Sequence, residues 1–150
     1  MLQPKQNLFI ALIAQFILIV QSKKWTVTAG EAYRPTFVEK IYVNRGLSKS
    51  MNSFHCKRLA MDLNFFEPES EKPCYEKEKI KELAGIWKSL HPNCIWGGDF
   101  KNINDTDHFE FNPDVINSKF DNSIDIADWN KKVLANENII KLIDAEKKEV

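Results

Sequence analysis

The most conspicuous hydrophobic pattern in the chain is the run LFIALIAQFILIV at residues 8–20. Gln15 is its only polar position. The length and apolar character of the run predict an apolar helix over residues 7–22. The run is shorter than the roughly 20 apolar residues that span a bilayer, and no small-x-small cleavage site follows it. We therefore expect a core helix, with no stable membrane insertion and no signal peptide; a signal-like or interfacial segment is the alternative.

Short alternating runs further along the chain predict strands, and apolar residues at helical spacing predict helices. In the run at residues 59–66, Asp62 belongs to the polar set and Leu63 to the apolar set, as expected for a half-buried strand. The predicted strands lie at 25–34 (ending in a turn), 59–66 and 108–111, and the predicted helices at 35–45, in a segment that ends at Leu90, and around 124–134 and 138–147.

The composition is that of an ordinary globular protein. The 150 residues are 43% hydrophobic and 28% charged, which is typical of a single domain. The 21 basic residues balance the 21 acidic ones, so no electrostatic argument favours a general nucleic-acid binder. The three cysteines are widely spaced and do not indicate a disulfide framework.

Two of the three histidines lie close to carboxylates. His55 precedes Asp62 by seven residues, and His108 follows Asp105 by three. Hydrolytic zinc sites use three such ligands and leave a fourth position open for water, and a nearby carboxylate then moves the proton. By spacing alone, three unrelated surface or capping residues are the favoured explanation of the pattern. His91, the third histidine, is expected either to cap the C-terminus of a helix or to lie at the surface.

The strings SFHCKRLAMDLN (53–64) and NDTDHFEF (104–111) resemble the paired motifs of a family of zinc peptidases. This is the D-alanyl-D-alanine carboxypeptidase and L-alanyl-D-glutamate endopeptidase family, which includes phage endolysins and vancomycin-resistance dipeptidases. TAGEAYR (28–34) resembles the strand and turn that deliver the family's arginine, GLSKSMNSFH (46–55) the approach to the first ligand, and WGGDF (96–100) the stretch before the second motif. The resemblance covers about residues 7–112.

The resemblance implies a Zn²⁺ site with a set role for each matching position. His55, Asp62 and His108 match the zinc ligands, and Asp105 matches the catalytic acid/base. Asp107, which is adjacent to the last ligand, is a rival for the base.

Three further positions match residues that would contact the substrate. Arg34 matches the arginine that faces the scissile carbonyl, and Ser53 the serine that helps to hold a substrate carboxylate. Trp96 is expected either to wall the cleft or to lie in the core. Arg58 departs from the glycine found in many members, and we interpret it as a marker of the phage branch. Glu110, which shares a predicted strand face with His108, is expected either to orient a metal ligand or to be exposed.

The resemblance also implies the architecture and the activity. We expect an α+β fold in which a small, mostly antiparallel sheet carries helices on one side and the zinc cleft on the other, as in hedgehog and D-Ala-D-Ala peptidase folds. Residues 1–112 would form the peptidase core and residues 113–150 a helical extension of the same domain.

The expected activity is hydrolysis of the L-alanyl-D-glutamate bond in the peptidoglycan stem peptide by a monomeric phage or prophage lysis protein. Such a protein would reside in the host cytoplasm before its release to the cell wall. A D,D-carboxypeptidase or dipeptidase that acts on D-alanyl-D-alanine termini is the nearest alternative, and a non-catalytic structural or wall-binding phage protein that keeps the fold is another.

Overall fold

Three α-helices and one antiparallel sheet make up residues 1–115, the part of the chain that this computed structural model describes. The predicted α+β class is confirmed. The elements are α1 (Gln3–Ser22), β1 (Thr26–Ala29), α2 (Thr36–Asn44), β2 (Ala60–Phe66), α3 (Lys77–Leu90), β3 (Cys94–Trp96) and β4 (His108–Phe111), with short 3₁₀ turns at Phe54–Lys57 and Gly97–Asp99.

Two sets of sequence predictions have different outcomes. Strand β3 was not predicted from the sequence. The predicted helices at 124–134 and 138–147 lie outside the described residues, and the division of the domain after residue 112 stays a prediction.

The four strands are arranged in the order β1-β2-β4-β3, and all neighbours are antiparallel. Residues that face each other across an antiparallel pair project from the same side of the sheet. The register places Asp62 opposite His108 and Met61 opposite Phe109. One face of β2 and β4 is therefore polar, and the other is apolar.

The apolar face of the sheet packs against α1 and α3. Phe16 of α1 is fully buried between both layers, and its ring lies 6.1 Å from Phe65, 5.2 Å from Phe109 and 5.6 Å from Trp87 of α3, measured between ring centroids. Aromatic burial of this kind is a large share of the hydrophobic stabilisation of a small domain. The polar face is left uncovered by these helices and holds the site described below.

Helix α1 supplies a large part of this core. Its buried residues are Leu8, Phe9, Leu12, Ile13, Gln15, Phe16, Ile19 and Val20. By length and composition α1 would also suffice to cross a membrane, with a mean hydropathy of 1.3, a criterion that buried core helices meet as well. In the described structure, its apolar face is occupied by the sheet and α3.

His91 occupies the C-cap position of α3, in line with one of the two expectations for it, but the expectation of a surface side chain is wrong. The side chain directly follows α3 but is only 1% exposed, and its ring centroid lies 5.0 Å from that of Phe111. Its Nδ1 accepts a hydrogen bond from the backbone N–H of Asn93 at 3.0 Å. Burial lowers the pKa of His91 to about 4, so the ring is a neutral core residue at pH 7.

Truncation of Phe16 tests whether α1 is a core helix. Phe16→Ala should lower the free energy of unfolding by about 3–5 kcal/mol, because it opens a cavity between the two layers. Ile10, which is 54% exposed on the same helix, provides the control: Ile10→Ala should cost less than about 1 kcal/mol. Urea unfolding followed by circular dichroism measures both, and equal small effects would contradict a core role for α1.

Burial of neutral His91 predicts a loss of stability in acid. Between about pH 6.5 and pH 4, the unfolded chain binds a proton on His91 that the folded protein excludes, so the free energy of unfolding falls as the pH falls. The full effect is roughly 3 kcal/mol. Urea unfolding of the protein and of His91→Gln at pH 7.5, 6.5, 5.5 and 4.5 should show a shallower pH dependence in the variant; parallel curves would refute the assignment.

Candidate metal centre

Three side-chain atoms converge on the polar face of the sheet. His55 Nε2 lies 3.1 Å from His108 Nδ1 and 3.2 Å from Asp62 Oδ1, and the last two atoms are 3.4 Å apart. Donor atoms 2.0–2.1 Å from a tetrahedral zinc ion are about 3.3 Å from one another. The triangle therefore has the size of one face of a zinc coordination tetrahedron, and the three residues form a group that could hold a metal ion.

Each of these side chains is placed by a different local structure. Asp62 and His108 are opposite residues of β2 and β4. His55 lies in the 3₁₀ turn at Phe54–Lys57. Ser53 caps the start of this turn, because its Oγ accepts a hydrogen bond from the backbone N–H of His55 at 3.3 Å. Arg58, with a φ of 56°, ends this turn in the left-handed region and directs the chain into β2.

The second nitrogen of each imidazole is held by a neighbour. The His108 Nε2–H donates to Glu110 Oε2 at 2.8 Å, and the His55 Nδ1–H donates to the carbonyl oxygen of Ala32 at 3.2 Å. These bonds select the tautomers that leave the lone pairs of His55 Nε2 and His108 Nδ1 directed at Asp62. Two lone pairs and a carboxylate that face one another at about 3 Å repel unless a cation lies between them, so the donor set fits a divalent metal.

When no metal ion is bound, a proton on an imidazole supplies the positive charge between these atoms and is donated to Asp62. Burial lowers the pKa of His108, but hydrogen bonds to Asp62 and Glu110 outweigh burial and raise the pKa to about 9. Burial likewise raises the pKa of Asp62, and the hydrogen bonds from His108 and His55 overcome it and hold that pKa well below its usual range. The cluster therefore favours an ionised carboxylate and attracts positive charge.

A cleft of about 310 Å³ opens in front of these three side chains. Among the residues that sequence analysis singled out, Arg34, Ser53 and Asp105 also line it. One rim is formed by the loop at 47–53, and the opposite rim carries Phe100 and Ile103. The cleft thus exposes the three donor atoms together with a guanidinium, a hydroxyl and a second carboxylate.

Of the two candidate bases, Asp105 lines the cleft and Asp107 is not among its lining residues. Burial, followed by a hydrogen bond to Asp107, raises the pKa of Asp105 to about 6. The two aspartates do not lie on one extended segment, because the N–H of His108 donates to the carbonyl oxygen of Asp105 and closes a turn. A carboxyl that titrates near neutral pH can both take and return a proton.

The guanidinium of Arg34 is fixed by two carboxylates at the wall of the cleft. Its Nη1–H donates to Glu39 Oε2 at 2.6 Å, and its Nε and Nη2 groups donate to Glu31. The hydrogen bonds to Glu31 are the main cause of the strongly raised pKa of Arg34, which is therefore always charged. The ring of Tyr42 lies 4.7 Å from the guanidinium carbon.

Trp96 does not line the cleft. Its side chain is fully buried in the core, and its Nε1–H donates to the carbonyl oxygen of Thr106 at 2.8 Å. Because Trp96 lies opposite Phe109, it shares the apolar face of the sheet and is not among the lining residues. The expectation that Trp96 walls the cleft is corrected: it is the core aromatic of the alternative interpretation, and it supports the loop that precedes His108.

Three acidic residues of the site were missed or left open by sequence reasoning. The sequence left Glu110 as either an exposed residue or a partner of a metal ligand. Glu110 is only 7% exposed and is hydrogen-bonded to His108, so it is a partner of the candidate ligand. Glu31 and Glu39 were not singled out. Glu31 precedes Arg34 by three residues in the same motif, which could have marked it, whereas nothing local distinguishes Glu39 from a solvent-exposed helical residue.

Comparison with known proteins agrees with this geometry. Residues 46–111 match a family model described as D-alanyl-D-alanine carboxypeptidase. The fold is similar to the crystal structure of the L-Ala D-Glu endopeptidase ChiX of Serratia marcescens, with a TM-score of 0.56 and 20% sequence identity over 67% of this chain and 77% of that one. No protein of curated function matches the sequence.

The close approach of Gly97 to two site residues gives a test of the assembled geometry. A Cβ added at Gly97 would overlap the backbone oxygen of Asp105 and lie 2.9 Å from Cβ of His108, so Gly97→Ala should displace both side chains. We expect the affinity for Zn²⁺ to fall by about 10–100-fold, as when a neighbour that orients a ligand is lost.

The matched control is Gly85→Ala in α3, where an added Cβ meets nothing within 4 Å. Isothermal titration with Zn²⁺ should give unchanged affinity for Gly85→Ala, together with a small gain in stability, because alanine favours a helix. Equal affinities for the two variants would contradict the packing described for Gly97.

Proposed function

We propose that the protein belongs to the D-alanyl-D-alanine carboxypeptidase family of peptidases, whose model matches residues 46–111, and that it is a zinc-dependent hydrolase of the peptidoglycan stem peptide. The observation that carries this proposal is the convergence of two imidazoles and a carboxylate, with their donor atoms 3.1–3.4 Å apart, on the floor of an open cleft. Zinc is the preferred metal because two nitrogens and one oxygen in a tetrahedral face are typical of catalytic zinc sites.

In the proposed reaction, His55, Asp62 and His108 hold the metal ion. When bound, such an ion acidifies water and polarises a carbonyl oxygen. Asp105 lies in the same cleft with a pKa of about 6, so it is mostly ionised at neutral pH and accepts the proton of the attacking water. The protonated Asp105 then donates that proton to the amine that leaves.

The substrate would be oriented by the two other polar groups of the cleft. Arg34 is fixed in place and offers its remaining N–H groups to the scissile carbonyl, on which negative charge develops. Ser53 uses its oxygen as a hydrogen-bond acceptor for the N–H of His55, and its hydroxyl hydrogen is available for a carboxylate of the peptide.

For the bond that is cut, we favour the one between L-alanine and D-glutamate. The support is the resemblance of residues 53–64 and 104–111 to the endolysin branch of the family, together with the similar fold of an L-Ala D-Glu endopeptidase. A D,D-carboxypeptidase is the second candidate, because the matching family model carries that description.

The proposal extends to where the protein acts. We infer a phage or prophage lysis protein that stays in the host cytoplasm until it reaches the cell wall. Purified protein added to isolated cell walls should lower their turbidity, whereas the same protein produced inside bacteria should cause lysis only once the membrane is permeabilised. Lysis without permeabilisation would contradict the proposed route.

Digestion of purified peptidoglycan tests the reaction and the bond together. New N-termini identified by mass spectrometry should be D-glutamate amines, and treatment with a chelator should abolish their formation until Zn²⁺ is restored. Release of terminal D-alanine would support the carboxypeptidase alternative. Intact peptidoglycan in the presence of zinc-loaded protein would refute hydrolysis and leave a protein that only binds the wall.

Replacement of Asp105 tests the proposed base. Asp105→Asn should lower kcat by at least about 100-fold without loss of bound zinc, because it removes the proton acceptor but no metal ligand. Asp107→Asn is the control: it should retain most of the activity, and the acidic limb of its pH profile should move to lower pH, since Asp107 raises the pKa of Asp105. A larger loss in Asp107→Asn than in Asp105→Asn would exchange the two roles.

A further inference from the structure

Helix α2 is attached to the site in an unusual way. Its one buried residue is Glu39, which is fully buried, whereas Phe37 on the same helix is 69% exposed and Ile41 43% exposed. A surface helix ordinarily buries an apolar stripe. Helix α2 buries a carboxylate instead, and a buried carboxylate is costly unless charged and polar partners surround it.

The partners of Glu39 are all groups of the cleft wall or of the segment that delivers the first metal ligand. Its Oε2 accepts from Arg34 Nη1 at 2.6 Å and lies 4.0 Å from the sulfur of Cys56, the neighbour of His55. Its Oε1 accepts from the hydroxyl of Ser48. Glu39 therefore joins three chain segments: α2, the arginine turn, and the loop that leads to the 3₁₀ turn.

The carboxylate of Glu39 is held in its charged form. Burial raises the pKa of Glu39, but the hydrogen bond from Ser48 and then the hydrogen bond and charge of Arg34 outweigh burial and lower the pKa. Because two charge-assisted bonds at fixed positions converge on it, the carboxylate is a rigid anchor for the guanidinium.

Two carboxylates leave Arg34 with a defined set of free donors. A guanidinium has five N–H groups, and three of them are taken, one by Glu39 and two by Glu31. The two that remain, one on each terminal nitrogen, have no hydrogen-bond partner among the described residues. With both carboxylates in place, the side chain can neither rotate nor withdraw. Its charge is offset, which suits the neutral carbonyl of a substrate better than a third carboxylate.

We propose that Glu39 is a positioning residue that fixes Arg34 at the wall of the cleft, so that the free N–H groups of the arginine meet the carbonyl of the scissile bond. This rests on the role given to Arg34 in the proposed function. Glu39 itself touches no substrate; it acts through the guanidinium, and Ser48 fixes the other oxygen of its carboxylate.

A double-mutant cycle between Glu39 and Arg34 separates positioning from a general contribution to folding. The variants are Glu39→Gln, Arg34→Gln and the double variant, all zinc-loaded and assayed on a soluble stem-peptide fragment. Glutamine keeps a hydrogen-bonding side chain at each position, and the double variant contains neither buried charge, so it should fold at least as well as Arg34→Gln. Glu78→Gln on the exposed face of α3 is the matched control.

We expect Glu39→Gln to lower kcat by about 10–100-fold with KM within about threefold, because a mispositioned donor weakens transition-state binding more than substrate binding. In the Arg34→Gln background, the same change should alter kcat by less than about threefold, since the residue through which Glu39 acts is already gone. Glu39→Asp, which keeps the charge, should recover part of the rate, and Glu78→Gln should match the unsubstituted protein.

Three results would overturn the proposal. The first is an equal loss from Glu39→Gln in both backgrounds, and the second is full activity of the single variant. The third is a loss of activity that parallels a loss of bound zinc, which would assign Glu39 to the metal site. If the unsubstituted protein hydrolyses no stem peptide, the proposed function fails and the role of Glu39 fails with it, whereas hydrolysis combined with an additive cycle removes the positioning role alone.

Discussion

The pairing of β2 with β4 is the constraint on which the rest of the site depends. Because Asp62 and His108 are direct partners in this antiparallel ladder, the backbone hydrogen bonds of the sheet hold a carboxylate and an imidazole side by side. A shift of the register by one residue would turn every side chain of β2 to the opposite face. Packing of Phe65 and Phe109 against α1 opposes that shift, since it would expose the aromatic core.

The hydrophobic core and the polar cleft therefore lie on opposite faces of the same sheet. The energy that keeps the sheet in register comes from the apolar side, where α1 and α3 bury their side chains. It offsets the cost of bringing two imidazoles and a carboxylate together on the other side. Glu110 and the carbonyl of Ala32 complete this arrangement by fixing the orientation of both rings, so that the donor atoms are directed at one point before any metal binds.

The wall of the cleft that carries Arg34 is held together by ion pairs and hydrogen bonds in place of apolar packing. Arg34 is enclosed by Glu31, Glu39 and the ring of Tyr42, and the same carboxylate of Glu39 contacts the loop that carries the metal-binding turn. Removal of one member of such a network leaves its partners less well satisfied, because each charge is paired with the next. The two walls are thus coupled through His55, whose carbonyl oxygen accepts the backbone N–H of Arg34 at 3.3 Å.

The sequence by itself determined the three helices and three of the four strands of the described residues, the polar and apolar faces of β2 and β4, and, through its resemblance to a peptidase family, the three residues whose donor atoms converge. These properties are local or are carried by short motifs: the alternation in β2 and the apolar run of α1 are visible within ten or twenty residues. Only the tertiary structure decided that Trp96 and His91 lie in the core, that β3 exists, and that Glu39 is buried against Arg34. The burial of a side chain depends on which distant segments cover it, and no spacing along the chain records that.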